Sequence, residues 1–139
     1  MTRCLPLLLA TCIAHATDFT HATIVTGANL SGPERKAVAM LVDAVRERTR
    51  ITWSVSAADP TQGGPVVRIR RAGGGAAEGY RLRSSGNSVE ITGNDERGVL
   101  FGIGGLLRAL EMRRDSVTLP AALNVTTAPN AIRRYRVPL

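Results

Sequence analysis

The chain has 139 residues, room for one domain and one hydrophobic core. Its apolar content of 44% excludes disorder as a whole-chain description, and its aromatic content of 4% is low for a platform that stacks bases or sugars unaided. The formal charge is +7, but Lys36 is the only lysine, and a gene rich in G and C gives the same arginine excess, so charge alone does not single out a polyanion partner.

Residues 1–16 read as an export signal. Arg3 supplies a short positive start, Cys4 to Ala14 form an apolar stretch too short to span a bilayer, and Ala14-His15-Ala16 fits the small-x-small cleavage rule. Cleavage after Ala16 gives a mature chain that begins at Thr17, has no transmembrane span and is periplasmic or extracellular. Cys4 and Cys12 both fall in the removed segment, so disulfide, zinc-thiolate and cysteine-nucleophile chemistry drop out together. Leu9-Ala10-Thr11-Cys12 approaches a lipoprotein signal, but Thr11 stands where Gly, Ala or Ser is expected.

The β-branched run at residues 22–27 predicts a strand. Ser31 and Glu34 then have capping-box spacing, and Pro33 suits a first helical turn. The helix is expected to run to about Thr49, with Ala37, Met40, Leu41, Ala44 and Val45 on one face and Lys36, Asp43, Glu47 and Arg50 on the other. Ile51 to Val55 reads as a second strand. Three further strands alternate: Val67 and Ile69 against Arg68 and Arg70, Tyr80 and Leu82 against Arg81 and Arg83, and Val89 and Ile91 against Glu90 and Thr92. Gly73-Gly74-Gly75 and Gly86-Asn87 supply the turns between them. This pattern predicts an antiparallel sheet covered on one face and wet on the other.

Gly93-Asn94-Asp95-Glu96 opens a second helix, expected to reach about Arg113, with Val99, Ile103, Leu106, Leu107 and Leu110 as its core stripe. Val117 to Leu119 and Leu123 to Thr127 read as short strands or extended tail. The order β-α-β-β-β-β-α predicts an α+β two-layer sandwich, its sheet mostly antiparallel and its two long helices on one face.

The second helix carries four glycines, Gly98, Gly102, Gly104 and Gly105. Each costs about 0.5–1 kcal/mol relative to Ala in a helix interior. Gly98, Gly102 and Gly105 fall in one stripe beside the apolar face, flanked by Phe101 and Met112. Two readings follow: close packing of the helix on its own sheet, or a surface formed by Gly98, Phe101, Gly102, Gly105 and Met112 for docking a second domain.

No catalytic, cofactor-binding or metal-ligating set stands out. The segment Gly102-Ile103-Gly104-Gly105 lies inside a helix and lacks the strand-turn context of a nucleotide fingerprint. Asp95 and Glu96 are neighbours that point about 100° apart and do not converge on one bond, so capping explains them better than acid–base work. Asp43 and Glu47 read as a solvated salt-bridge surface. Arg68, Arg70, Arg81 and Arg83 share the open side of the sheet and form a candidate anion site. That site would take phosphate, an acidic sugar or nucleic acid; Glu90 on a neighbouring strand, the lack of aromatic partners and the export signal stand against it, and the other reading is a solvated face.

The stretch from Glu78 to Leu82, then Asn87 to Gly102 and Leu106-Leu107-Arg108, resembles the N-terminal domain of family 67 α-glucuronidases and of family 20 β-hexosaminidases. Its core is Ile91-Thr92-Gly93-Asn94-Asp95-Glu96-Arg97-Gly98-Val99-Leu100-Phe101-Gly102. The resemblance covers roughly residues 22–128 and implies a non-catalytic accessory domain over residues 17–128. That domain would pack against a (β/α)₈ barrel holding the catalytic acids. Residues 129–139 then read as the run-in to a barrel that this chain lacks. No catalytic residue of either family carries over. The alternatives are a free-standing exported module that binds carbohydrate or a partner, and a basic polyanion binder.

Overall fold

The computed structural model describes residues 16–127. Residues 1–15, which carry most of the stretch read as an export signal and both cysteines, and the tail from Ala128 lie outside the described residues. Described elements are β1 (Thr17–Asp18), β2 (Thr23–Thr26), α1 (Gly32–Thr49), β3 (Ser54–Ser56), β4 (Val66–Arg71), β5 (Tyr80–Ser85), β6 (Ser88–Gly93), α2 (Glu96–Ala109), β7 (Glu111–Arg113), β8 (Ser116–Leu119) and β9 (Asn124–Thr126).

The capping box predicted for α1 is present. Glu34 N–H donates to Ser31 Oγ at 3.3 Å and Ser31 N–H donates to Glu34 Oε2 at 3.4 Å. The helix ends at Arg50, whose φ of 65° turns the chain out of the helix. Ala37, Val38, Leu41, Val45 and Thr49 face inward. Met40, expected among them, is 55% exposed, because Val38 and not Met40 completes the inward stripe with Leu41 and Val45.

The larger sheet has the order β3-β2-β4-β6-β5-β9, and a smaller one has the order β1-β8-β7. Among the described residues four of the seven ladders are antiparallel. The larger sheet is mixed, however, with β2 parallel to β3 and β4, and β4 parallel to β6. The expected β4–β5–β6 meander is corrected accordingly. The β5–β6 hairpin forms, with Gly86 at φ 57° in its turn, but β6 lies between β4 and β5. Residues 72–79 are too many for a tight hairpin; they let β5 stand one place away from β4, and the short turn then folds β6 into the gap.

Both helices lie over one face of this sheet. Ile24, Val67, Ile69, Leu82, Val89 and Ile91 meet Ala37, Leu41 and Val45 of α1 and Val99, Ile103 and Leu106 of α2 in one buried cluster. That arrangement is the α+β sandwich read from the sequence.

The second helix is shorter than its sequence predicts. It ends at Ala109; Leu110 is extended, and Glu111–Arg113 pairs with β8 so that Met112 lies opposite Val117. The β7–β8 turn places Asp115 at φ 62°, and its N–H donates to Thr49 O at 2.8 Å, tying the small sheet to the end of α1. Phe19 and Trp53 fill the same end; the Trp53 indole N–H donates to Phe19 O at 3.0 Å.

Trp53, the only tryptophan, is 2% exposed, so its fluorescence reports this end of the core. Trp53→Phe removes the donor from a buried carbonyl and is expected to destabilise the chain by about 1–3 kcal/mol. Urea unfolding followed by circular dichroism measures the loss, and an unchanged midpoint would rule out a structural role for that bond.

Candidate functional site

The glycine stripe of α2 faces the domain's own sheet. A Cβ on Gly98 would run into the carbonyl oxygen of Gly79, one on Gly102 would come within 2.5 Å of Ile91 Cγ2, and one on Gly105 within 2.9 Å of Leu82 Cδ1. The helix therefore sits so close to the β5–β6 hairpin and the loop before it that a side chain at Gly98 would meet unyielding backbone, and one at Gly102 or Gly105 would force neighbouring side chains to shift. This corrects the docking surface drawn on Gly98, Gly102 and Gly105. Met112, also assigned to that surface, is a half-buried residue of β7 packed on the core.

Gly104 differs. A Cβ there meets only the end of the Arg108 side chain, at 3.4 Å. It lies on the side of α2 turned away from the sheet, with Leu100, Phe101 and the exposed Arg97 and Arg108. Leu100 is 38% exposed, and Phe101 and Leu107 are half-buried. The outward apolar groups of this helix are thus Leu100 and Phe101, with the exposed Arg97 and Arg108 between them, while Leu107 packs against the core; only Phe101 was assigned to that side from sequence.

The residues that carry the resemblance assemble the joint under α2. Asp95 caps the helix: its Oδ1 accepts from Gly98 N–H at 2.7 Å and its Oδ2 from Glu78 N–H at 2.8 Å. These bonds, the one from Glu78 foremost, hold its carboxyl below the ordinary carboxylate range. Asn94 Nδ2–H donates to Ala76 O at 2.9 Å, and Arg97 pairs with Glu78 at 2.8 Å. Asp95 is thus engaged as the cap of α2. Among the described residues no group of His, Cys, Asp and Glu could hold a metal ion.

The four arginines of the open face have separate fates. Arg68 makes a two-pronged pair with Asp59, which holds the Asp59 carboxyl below its usual range. Arg70 reaches Glu90 at 2.7 Å. Arg81 and Arg83 take part in no ion pair among the described residues. Arg81 borders a cavity of about 360 Å³ with Gly74, Gly75, Thr92, Asn94 and Thr126.

Sequence reasoning missed Arg71. As the last residue of β4 it falls on the helix side, 3.1 Å from the Glu34 carboxylate of α1 and 3.6 Å from Glu96 of α2. Glu34 is buried, and Oε1 has no aligned hydrogen bond among the described residues, so the Arg71 charge is its compensation. The only sequence signal was an arginine at the end of an alternating strand, where its side follows parity with Val67 and Ile69.

The family model described as glycosyl hydrolase family 20, domain 2, matches residues 14–126. The chain belongs to that family. The fold recurs in a family 20 exo-β-N-acetylglucosaminidase from Vibrio harveyi in complex with N-acetylglucosamine, at 16% identity and a TM-score of 0.63, covering 82% of this chain and 17% of that one. It recurs in a β-N-acetylhexosaminidase from Streptomyces coelicolor A3(2), at 22% identity and a TM-score of 0.60, covering 78% of this chain and 23% of that one. A family 138 enzyme targeting pectin rhamnogalacturonan II shares it at 17% identity and a TM-score of 0.52, covering 70% of this chain and 15% of that one. The family 20 domain described here thus spans less than a quarter of each of these proteins. Comparison with curated proteins finds no match. Between the two families that the sequence resembles, the match is to family 20, and these comparisons give family 67 no support.

Gly98→Ala is expected to destabilise the domain by about 1–3 kcal/mol, since a backbone carbonyl cannot yield. Gly104→Ala has room and is expected to stabilise it by about 0.5–1 kcal/mol. Denaturation midpoints of the two variants check the contrast; equal effects would mean that α2 does not sit this close to the hairpin. Asp95→Ala is expected to cost about 1–2 kcal/mol near neutral pH. Because the folded-state pKa of Asp95 is depressed, its contribution is present above the unfolded carboxylate pKa and is lost as pH falls through the folded value. The variant and the parent should therefore converge in stability in acid. A difference that persists below that window would mean that capping charge is not what the variant removes.

Proposed function

We propose that this family 20 domain is an exported, non-catalytic accessory domain that packs beside a catalytic (β/α)₈ barrel, in its own chain or a separate one. The assembled enzyme acts on terminal N-acetylhexosamine residues. The observation that carries the reading is the family 20, domain 2 match over residues 14–126, in a chain whose conspicuous carboxylates are engaged in capping and ion pairs. The Vibrio harveyi and Streptomyces coelicolor enzymes support the sugar class by their activities. The outward surface of α2 supports the packing, because Leu100 and Phe101 gain more from a covering domain than from water. Export rests on Arg3, the apolar stretch after it and Ala14-His15-Ala16. Nothing in this reading requires a cofactor.

A free-standing exported module that binds carbohydrate is the second reading, favoured by the open-face cavity beside Arg81. A polyanion binder fits less well, because Arg68 and Arg70 are already held by carboxylates.

The test joins the 139-residue chain to the catalytic barrel of a family 20 hexosaminidase. Hydrolysis of a chromogenic N-acetyl-β-glucosaminide and the melting temperature are then measured. The chain alone is expected to be inactive and the joined protein active. Leu100→Glu is expected to lower the melting temperature of the joined protein by several degrees and leave that of the chain alone unchanged. Hydrolysis by the chain alone, or insensitivity of the joined protein to Leu100→Glu, would sink the reading. Amino-terminal sequencing of the exported protein should begin at Thr17.

A further inference from the structure

On the open face of the sheet the exposed Arg81 borders a cavity. We propose that this cavity binds an anionic sugar unit, a hexose bearing a carboxylate or a sulfate ester, with Arg81 holding the anionic group.

Charge points to Arg81. On this face Arg68 is matched by Asp59 and Arg70 by Glu90, while no carboxylate among the described residues pairs with Arg81 or Arg83. The nearest candidate, Glu90, is committed: its Oε1 takes Arg70 at 2.7 Å and a hydrogen bond from the Thr92 hydroxyl at 3.2 Å. The face therefore keeps a positive surplus on β5, where an incoming anion is not opposed by a paired acid.

Shape and chemistry point to a sugar. The cavity of about 360 Å³ is far larger than a tetrahedral anion needs. Register sets Thr92 on one side of Arg81 and Thr126 on the other, so two threonine strand positions flank the cation. The far wall is the glycine loop, with Gly74 at φ 93° and Gly75 at φ 87°. That loop is fastened: Asn94 donates to Ala76 O at 2.9 Å, and a Cβ on Gly75 would come within 2.8 Å of the Asn94 side chain. The opposite wall is fastened too, since Tyr80 N–H donates to Thr127 Oγ1 at 2.9 Å. The Thr92 hydroxyl is engaged with Glu90 and Arg70, so a guanidinium, the Thr126 side chain and loop backbone around one hollow remain to meet a polyhydroxylated anion.

The experiment titrates the full chain, labelled with ¹⁵N, at low salt. The probes are glucuronate, N-acetylglucosamine 6-sulfate, neutral N-acetylglucosamine and inorganic sulfate. Saturable shifts confined to Gly74, Gly75, Arg81, Thr92 and Thr126 are expected with the two anionic sugars, and binding about tenfold or more weaker with the neutral sugar. Arg81→Gln is expected to weaken anionic-sugar binding by about tenfold to a hundredfold. Arg81→Lys should recover part of the loss, and Arg48→Gln, which removes the same charge from α1, should change nothing. Preserved spectral dispersion in each variant separates lost binding from lost folding. Absence of saturable shifts, equal affinity for neutral N-acetylglucosamine, or equal loss on Arg48→Gln overturns the proposal. So does inorganic sulfate binding as tightly as the sulfated sugar, which would leave an oxyanion contact only.

Discussion

The close seat of α2 on the β5–β6 hairpin is the constraint from which the rest of the domain takes its shape. Gly98 lies against a backbone carbonyl, Gly102 against Ile91 and Gly105 against Leu82. Each glycine weakens the helix as a helix, by about 0.5–1 kcal/mol. The buried contacts of Val99, Ile103 and Leu106 with the sheet offset that cost. The approach also brings Asp95 to the Glu78 N–H and Asn94 to the Ala76 carbonyl. The glycine loop before β5 is thereby fastened to the start of the helix, and the wall of the open-face cavity is set by packing on the other side of the sheet.

Charge is distributed with the same two-sidedness. On the helix side, Arg71 lies between Glu34 of α1 and Glu96 of α2. A buried carboxylate such as Glu34 is tolerable only beside a compensating cation. This cation also draws the starts of both helices toward the end of β4. On the open side Arg68 and Arg70 are neutralised locally, and the surplus is left on β5. Among the described residues Arg46, Arg68, Arg70, Arg71, Arg97 and Arg113 pair with carboxylates, and Arg81 and Arg83 are among the cations that do not.

The signature that relates this chain to family 20 is made of packing residues. Gly93, Asn94, Asp95, Arg97, Gly98 and Gly102 each have a structural partner. Recognition of the family therefore identifies how α2 meets its sheet and carries no information on bond cleavage. The same fold recurs in a family 138 enzyme.

Local physics made much of this legible in the residues alone. The capping box at Ser31, the inward Leu41 and Val45, the Gly86-Asn87 turn and the alternation of β4, β5 and β6 are short-range features. They depend on backbone geometry within a few residues, so the sequence by itself determined the two helices, the faces of the strands and the α+β class. Only the tertiary structure decided which strand lies beside which, because parallel β4–β6 pairing and an antiparallel meander present the same alternation. It also decided where α2 ends, since helix and strand compete for Glu111–Arg113 and the partner strand β8 settles the competition. The direction of the glycine stripe and the division of the four arginines belong to the same class. Helical spacing shows that small residues share a side, but what they touch, and which carboxylate reaches which arginine, depends on groups brought together by chain closure over many residues.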